Sequence, residues 1–469
     1  RMAFVVLPLI VAALLTVWAF TQKGHTLLRI YGPPVFVRYF LEDQRDKFAQ
    51  YRERPGDGRP FSLIKRNWVY QASKGLSTKV GFGTTKDLHA SGTHTIRPAP
   101  FGLTHDELPD NAFEHKIGRD GREFILRYPA VRSGMSFGAL GAVATRALSD
   151  ASALLKQDYW LRKEGPLDNT GEGSLSPHHC PVTPEGQEYL DRLTERSKAA
   201  GIDYTFRFDR TATPDGGSME VPLQLNRFEI RNGRVVDPEH PPDHPWGISE
   251  KARKVIVQCG PGMVGFSKPD GEIDWEWINY IAGLSWVAGF EIKAQQGAKA
   301  NDYGIVQAEK MTRELQALRF ASTGDCISPE RLPFIPAGRL GDQVEALMLF
   351  FDRLQALPNV KKWGLITGYK MTYTGVWFVR LLADQLRRNR GPDYLIVDGA
   401  EGGTGAADPI MTDRMGVHTY QGLNQTHQTL LSLGVRDRIS LVASGRLSDS
   451  GDIATVMCLG ADYVGIARG

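Results

Sequence analysis

From about Phe124 onward, the chain repeats one pattern: a short apolar run, a polar or glycine-rich end, and then an amphipathic stretch. Some runs are apolar at every position, as in YLIV at 394–397, which is typical of parallel strands covered by helices on both faces. Eight runs end at 134–137, 169–172, 258–260, 292–295, 367–370, 398–401, 443–445 and 465–468. The pattern therefore predicts an α/β fold in which eight β/α units over residues 124–469 form a TIM (β/α)8 barrel.

A doubly wound sheet would show the same alternation, because it also joins parallel strands through helices. Helices are predicted at 275–289, 341–357 and 374–389, where apolar residues recur at three- and four-residue spacing. The barrel is favoured because polar or charged residues follow nearly every strand, and a barrel gathers the ends of its strands on one face.

The loop VDGAEGGTGAADP at 397–409 places several glycines at the end of the sixth predicted strand. Glycine allows positive φ and has no Cβ to block a flat ring or a phosphate, although a tight strand-to-helix turn explains the same residues. The loops after strands seven and eight are where barrels commonly bind phosphate. They predict a phosphate site formed by backbone N–H groups of Gly445 and Gly465 with the charge of Arg446 or Arg468, unless both loops are simple barrel turns.

Composition and cysteine spacing exclude several classes of protein. A net charge of +3 over 469 residues gives no reason to expect a nucleic-acid partner. The four cysteines are far apart and form no CxxC pair, which argues against a disulfide framework and a zinc site. No metal site is predicted, and a reducing compartment fits this cysteine usage.

The amino end is a charge-free apolar stretch from Met2 to Phe20, which is long enough to cross a bilayer as a helix. The residues that follow are polar rather than small, which argues against a cleaved signal peptide. Basic residues in this flank leave the rest of the chain in the cytoplasm by the positive-inside rule. We therefore expect a transmembrane anchor over residues 1–23, a membrane-proximal segment over 24–123, and a single-pass location at the inner (cytoplasmic) membrane.

Six motifs, MSFG, NTGEG, EIKAQQGAK, GDCISP, GGTGAADP and THQTL, resemble the FMN-binding synthase domain of glutamate synthases in order and spacing. The earlier stretch GRPFSLIKRNWVYQASKG resembles the membrane-anchored, stand-alone branch of that family. Together they cover the chain from about residue 24 to residue 469. The resemblance implies an FMN-dependent oxidoreductase, acting on CH–NH2 donors, that forms glutamate from 2-oxoglutarate and ammonia.

The resemblance also implies roles for individual residues. It places the flavin ring against Met135 and Ser136, with Lys370 near N1, where a cation stabilises the negative charge of the reduced ring. Close approach of the backbone to the cofactor is implied at Gly402, Gly403, Thr404 and Gly405. Substrate contacts are implied for Glu172, Lys293, Gln296, Lys299 and Arg319. Cationic side chains suit the two carboxylates of 2-oxoglutarate, whereas a surface charge is a poor explanation for a lysine inside an apolar strand, as at 293.

The chain departs from the family pattern in three ways. After QGAK it has ANDYGIVQ in place of a glycine- and proline-rich run, so we expect a reshaped substrate loop. An insertion over about 177–253 contains Asn232-Gly233 between strand-like pieces, which predicts a type I′ hairpin, and we expect it at the barrel mouth as a lid or docking surface. The family's iron–sulfur cysteines would follow Gly469, so no cluster is assigned here, and no glutaminase segment is present, so ammonia would come free or from a partner protein.

Two functions from different classes remain. The first is an FMN oxidoreductase that reduces an imino or oxo acid, and retention of the substrate-contact residues favours it. The second is a membrane-tethered flavoprotein that transfers electrons or assembles a complex without amination, with which the altered loop, the insertion and the anchor are compatible. A hydroxy-acid oxidase is a weaker third possibility, because no histidine at a strand end is placed to act as its base.

Overall fold

The computed structural model describes residues 2–22, 33, 95–154 except 110, and 165–208 except 166 and 182. It also describes the short segments 210–212, 218–220, 229–231 and 234–236, and residues 254–467 except 301, 303, 322–323, 405–407 and 448. The chain separates into two compact units, Arg1–Ile64 and Lys65–Gly469. The predicted boundaries at residues 23 and 123 stay predictions, and the stretch GRPFSLIKRNWVYQASKG lies outside the described residues.

The first unit contains helix α1 (Met2–Thr21), whose side chains are described from Val11 onward. Within the described part of the chain, no helix is long and apolar enough to cross a bilayer. The membrane anchor predicted over residues 1–23 is therefore not supported, and the inner-membrane location stays a prediction.

The second unit contains every strand that the structure describes. These strands are β1 (His115–Ile117), β2 (Phe124–Leu126), β3 (Ala130–Arg132), β4 (Asp168–Asn169), β5 (Arg210–Ala212), β6 (Ser218–Glu220), β7 (Glu229–Arg231), β8 (Arg234–Val236), β9 (Val255–Cys259), β10 (Val287–Lys293), β11 (Gly304–Val306), β12 (Cys326–Ser328), β13 (Ile366–Met371), β14 (Tyr394–Asp398), β15 (Ser440–Ser444) and β16 (Tyr463–Ile466).

Eight of these strands form one parallel sheet in the order β3-β16-β15-β14-β13-β10-β9-β4. The sheet is nearly closed, because the backbone N–H of Arg132 in β3 donates to the carbonyl of Leu167, which precedes β4, at 3.3 Å. All eight strand ends predicted from the sequence fall on these strands or directly after them. The prediction of an α/β barrel with eight parallel strands is confirmed.

The barrel interior has an apolar core and one polar layer. Inward-facing side chains such as Ile256, Ile366 and Val442 form the core, and the β1–β2 hairpin closes its amino-terminal end. Above them, the buried carboxylate of Glu291 accepts hydrogen bonds from Gln258 Nε2 at 2.5 Å and from the Tyr394 hydroxyl at 3.0 Å. Because these partners satisfy the buried carboxylate, the layer supports the residues that lie above it at the barrel mouth.

The helices that the structure describes in the second unit lie outside the strands, and most of them bury apolar side chains in the main core. They are α2 (Ala142–Leu154), α3 (Pro184–Ala199), α4 (Trp275–Gly283), α5 (Arg313–Arg319), α6 (Leu340–Ala356), α7 (Pro358–Trp363), α8 (Val376–Arg387), α9 (Pro409–Arg414), α10 (Thr419–Ser432) and α11 (Ser450–Cys458).

Two of the three helix predictions agree with α6 and α8 to within two residues at each end. The third is wrong at its end, because the helix predicted to reach residue 289 stops at Gly283 and Val287 already begins β10. All seven residues of β10 are buried between β9 and β13. Pairing with both neighbouring strands therefore outweighs the helical periodicity of the local sequence, and the segment forms a strand.

The predicted insertion begins with a helix of the barrel layer, since Tyr189 and Leu193 of α3 pack in the main core. Further on, β5 pairs with β6 and β7 pairs with β8, both antiparallel. Arg231 lies opposite Arg234, so the hairpin predicted at residues 232–233 is confirmed as a strand pair, although those two residues lie outside the described ones. Its position over the barrel mouth as a lid stays a prediction.

Candidate active site

Two lysines lie side by side at the carboxyl end of the barrel. Lys293 ends β10, and in the parallel register it lies opposite Lys370 of β13. Both are buried, at 7% and 5% exposure. Like charges opposite each other on neighbouring strands repel, so each lysine needs its own counter-charge.

Glu172 supplies the counter-charge for Lys293. It lies in a turn of 3-10 helix at Gly171–Gly173, directly after β4, and its Oε1 lies 2.7 Å from Lys293 Nζ. Lys293 Nζ also donates to Gln296 Oε1 at 3.0 Å. Burial acts to raise the pKa of Glu172, but the charge and hydrogen bond of Lys293, together with the charge of Lys299, outweigh it and hold that pKa below its usual value. Glu172 is therefore a carboxylate at neutral pH.

Gly260, the first residue after β9, makes room for this carboxylate. A Cβ at that position would lie 2.6 Å from Glu172 Cγ and 2.8 Å from its Oε1. The sequence marked Gly260 only as the end of a strand. Its role depends on a residue 88 positions earlier, so no local pattern could reveal it.

Asp398 supplies the counter-charge for Lys370. Its Oδ1 lies 3.5 Å from Lys370 Nζ, and both side chains are 6% exposed. Its Oδ2 accepts from the backbone N–H of Gly297 at 2.9 Å. Burial acts to raise the pKa of Asp398, yet Lys370 and the hydrogen bond from Gly297 lower it overall. Asp398 was not predicted as a site residue, although its place at the end of the sixth barrel strand was a usable signal.

Lys299 faces the same space from a turn of 3-10 helix at Gly297–Lys299 and is 8% exposed. Burial lowers the pKa of Lys299, and the charge of Glu172 opposes this only in part. Gly304 lies beside it, since a Cβ there would be 3.0 Å from Lys299 Nζ.

These side chains line a narrow pocket at the barrel mouth. Its lining residues are Glu172, Pro261, Lys293, Ala294, Gln295, Gln296, Lys299, Asp302, Gly304, Ser328, Pro329 and Glu330. The ribbon of β11 and β12 forms one wall, and β11 falls within the ANDYGIVQ run where the chain departs from the family pattern. Four of the five predicted substrate residues are thus brought together.

The fifth, Arg319, is not among the residues that line this pocket. It ends α5, and its Nη2 donates to the carbonyl of Phe137 at 3.1 Å. In this position the guanidinium holds the MSFG loop after β3. Arg319 therefore lies outside this pocket, and the substrate contact predicted for it stays a prediction.

The predicted cofactor residues lie around the same mouth of the barrel. Met135 and Ser136 follow β3 and are partly buried, and Gly403 is exposed beside the pocket, with its carbonyl 3.5 Å from Gln296 Nε2. Gly402 and Thr404 flank Gly403 and are partly buried. Gly445 directly follows β15, and Gly465 is the penultimate residue of β16. Gly405 and Arg468 lie outside the described residues.

Three details of the mouth indicate open space for a further group. A Cβ on Gly403 would meet no atom within 4 Å, so packing does not require glycine there. Thr372 is buried just after β13, and its Oγ1 has no hydrogen-bond partner among the described residues. Arg446 has a φ of 47°, a left-handed conformation that is uncommon outside glycine and clusters at ligand sites.

Comparison with known proteins agrees with this geometry. The profile of the conserved region in glutamate synthase matches residues 103–469. The chain is 25% identical over 506 residues to the glutamate synthase large subunit-like protein YerD of Bacillus subtilis, covering 99% of this chain and 79% of that protein. It is 29% identical over 221 residues to an archaeal glutamate synthase of Archaeoglobus fulgidus, covering 47% of this chain and 38% of that protein.

Among solved structures, a flavocytochrome b2 with pyruvate bound matches 91% of this chain and 79% of that one, with a TM-score of 0.39 and 13% identity. The family profile covers more than three quarters of the sequence, including every residue of the pocket. The chain therefore belongs to the glutamate synthase family and is an oxidoreductase of the class that acts on CH–NH2 donors.

Proposed function

We propose that this protein binds FMN at the barrel mouth and converts 2-oxoglutarate and ammonia to glutamate by reducing the imine that they form. The observation that carries the proposal is the pairing of Glu172 with Lys293 in a pocket that Lys299 also lines. A second buried pair, Lys370 with Asp398, lies at the ends of the neighbouring barrel strands. FMN, when bound, supplies the hydride for this reduction.

The described residues fit FMN. The backbone at Gly403 has free space beside it, the buried Thr372 hydroxyl has no partner among the described residues, and Lys370 supplies a buried cation. In the proposed complex the flavin ring lies against Met135 and these groups. Gly445 directly follows β15 and Gly465 is the penultimate residue of β16, so both lie near the strand ends where barrels hold phosphate. Arg446, Gly402, Ser136 and Thr404 complete the proposed set, together with Gly405 and Arg468.

The cations of the pocket suit a dicarboxylate. Lys293 and Lys299 are both more than nine-tenths buried, so solvent screens their charges weakly. At an effective dielectric of about 20, each close pair with a substrate carboxylate contributes roughly 4 kcal/mol before desolvation is subtracted.

The pKa shifts of Glu172 and Lys299 indicate which of the two residues donates a proton to the substrate. Because its pKa is lowered, Glu172 is ionised at neutral pH and can accept a hydrogen bond from a substrate N–H but cannot donate a proton. Lys299, whose pKa burial also lowers, parts with a proton more readily than an exposed lysine. We assign Lys299 as the proton donor, and Glu172 as the group that orients Lys293 and the substrate nitrogen.

A flavoprotein that only transfers electrons is the alternative function. It would make no use of the pair between Glu172 and Lys293. The two functions therefore differ in what happens when this pair is removed.

The test uses the full chain loaded with FMN and reduced without oxygen. Mixing with 2-oxoglutarate and ammonium should oxidise the flavin and yield glutamate, whereas either compound alone should not. The Glu172→Gln variant should retain its flavin but lose this reaction. Absence of glutamate in the unaltered protein would refute the proposal, and equal flavin oxidation in both proteins by another acceptor would favour electron transfer.

A further inference from the structure

A second pocket lies on the outer side of the barrel wall, between the strands and the helices α6 and α8. Its volume is about 330 Å³, and its walls are mostly apolar. The apolar lining residues are Leu332, Ile335, Leu340, Val344, Leu347, Met371 and Phe378. A cavity of about 150 Å³ suffices for benzene, so this one accommodates a body of about two fused rings.

The pocket is distinct from the one that holds Glu172 and Lys293. Side chains alternate along β13, so Lys370 faces the barrel interior while Tyr369 and Met371 face outward into the second pocket. The two pockets meet only at a shared edge formed by Ala294, Gln295 and Glu330.

Tyr369 brings a polar group into these apolar surroundings. The residue is 7% exposed, and its ring stacks on Phe378 at 5.8 Å and meets Phe351 edge-on at 6.3 Å. No hydrogen bond to its hydroxyl is found among the described residues, and burial raises the pKa of Tyr369, so the hydroxyl stays a donor. The hydroxyl borders the open pocket, so it can donate a hydrogen bond to an acceptor atom of a molecule bound there.

The charge at the rim narrows the class of ligand. Glu330 and Arg331 are neighbours at the exposed edge and carry opposite charges, so neither an anion nor a cation is favoured overall. The aromatic ring of Phe378 and the sulfur of Met371 favour a flat aromatic body. We propose that this pocket binds a neutral bicyclic aromatic molecule with a single acceptor oxygen, which takes the hydrogen bond from Tyr369.

Two probes of matched shape test this site by calorimetry on the full chain. 2-Acetylnaphthalene carries the acceptor, and 2-ethylnaphthalene lacks it. Both should bind with one-to-one stoichiometry, and excess 2-oxoglutarate should displace neither. Tyr369→Phe should weaken binding of the acetyl compound about fivefold, as expected for one neutral hydrogen bond, and leave the ethyl compound unchanged.

A second experiment fills the pocket with a larger side chain. Leu347→Trp should abolish binding of both probes, and Val344→Phe serves the same purpose if the first variant fails to fold. The site assignment is overturned if neither probe binds the unaltered protein, or if 2-oxoglutarate displaces them. Equal weakening of both probes by Tyr369→Phe would overturn the hydrogen bond and with it the class of ligand.

Discussion

Gly260→Ala should damage the proposed active site through steric displacement of Glu172 alone. The new Cβ would lie 2.6 Å from Glu172 Cγ, whereas carbon atoms in contact are about 3.5 to 4.0 Å apart, so Glu172 must shift by about 1 Å. The pair with Lys293 would then lengthen from 2.7 Å to about 3.7 Å. At an effective dielectric of about 20, this weakens the attraction between Glu172 and Lys293 by about 1.7 kcal/mol. If the whole of this energy is lost from the reaction, the rate of glutamate formation falls roughly 15-fold.

The assay is glutamate formation by the FMN-loaded protein, with flavin content and thermal unfolding measured in parallel. Gly341→Ala is the matched control, because a Cβ there would meet no atom within 4 Å. The reasoning also requires that Gly260→Ala adds no further loss in a Glu172→Gln background, since both changes act on one carboxylate. An unchanged rate in Gly260→Ala, or additive losses in the double variant, would refute it.

Four further predictions concern the site and the fold. Lys299→Ala should raise the KM for 2-oxoglutarate by at least about tenfold and also lower kcat, with full flavin content, as measured by steady-state kinetics, because Lys299 is assigned both a carboxylate contact and the proton donation. Lys370→Met should lower the flavin reduction potential, measured by anaerobic titration, and reduce stability by about 3 to 5 kcal/mol in denaturant unfolding, because its carboxylate partner is left uncompensated. The lowered pKa of Glu172 stabilises the fold fully above the ordinary carboxyl pKa of 4.5 and loses this contribution as pH falls through its lower folded value, so Glu172→Gln should show a shallower decline of unfolding free energy in acid. Gly368→Ala should unfold at a lower temperature in calorimetry, because its Cβ would lie 2.0 Å from the ring of Tyr394 inside the barrel.

The sequence alone predicted the barrel strands because each strand carries its own signal. A strand in a covered parallel sheet is apolar on both faces, and the polar residue that ends it follows within a few positions. The pairing of β7 with β8 is predictable for the same reason, since Asn232-Gly233 is a turn signal that can be read from two neighbouring residues of the sequence. The end of α4 was missed because helical periodicity continued into Val287, where pairing with two neighbouring strands decided the conformation.

The candidate active site was likewise predicted only in part from the sequence. Glu172, Lys293, Gln296 and Lys299 were identified through motifs, and the structure brings them into one pocket. Their charges were readable from the sequence, but the partner of each charge was not.

Only the tertiary structure showed that Asp398 is the counter-charge of Lys370 and that Gly260 leaves room for Glu172. It also showed that Arg319 donates a hydrogen bond to the MSFG loop. The pocket behind Tyr369 likewise exists only where α6 and α8 meet the barrel wall. These contacts join residues far apart in the chain, and closure of the barrel sets their distances. Hydrophobic periodicity is a property of neighbours along the chain, so it specifies the strands and helices but not which side chains meet across the barrel mouth.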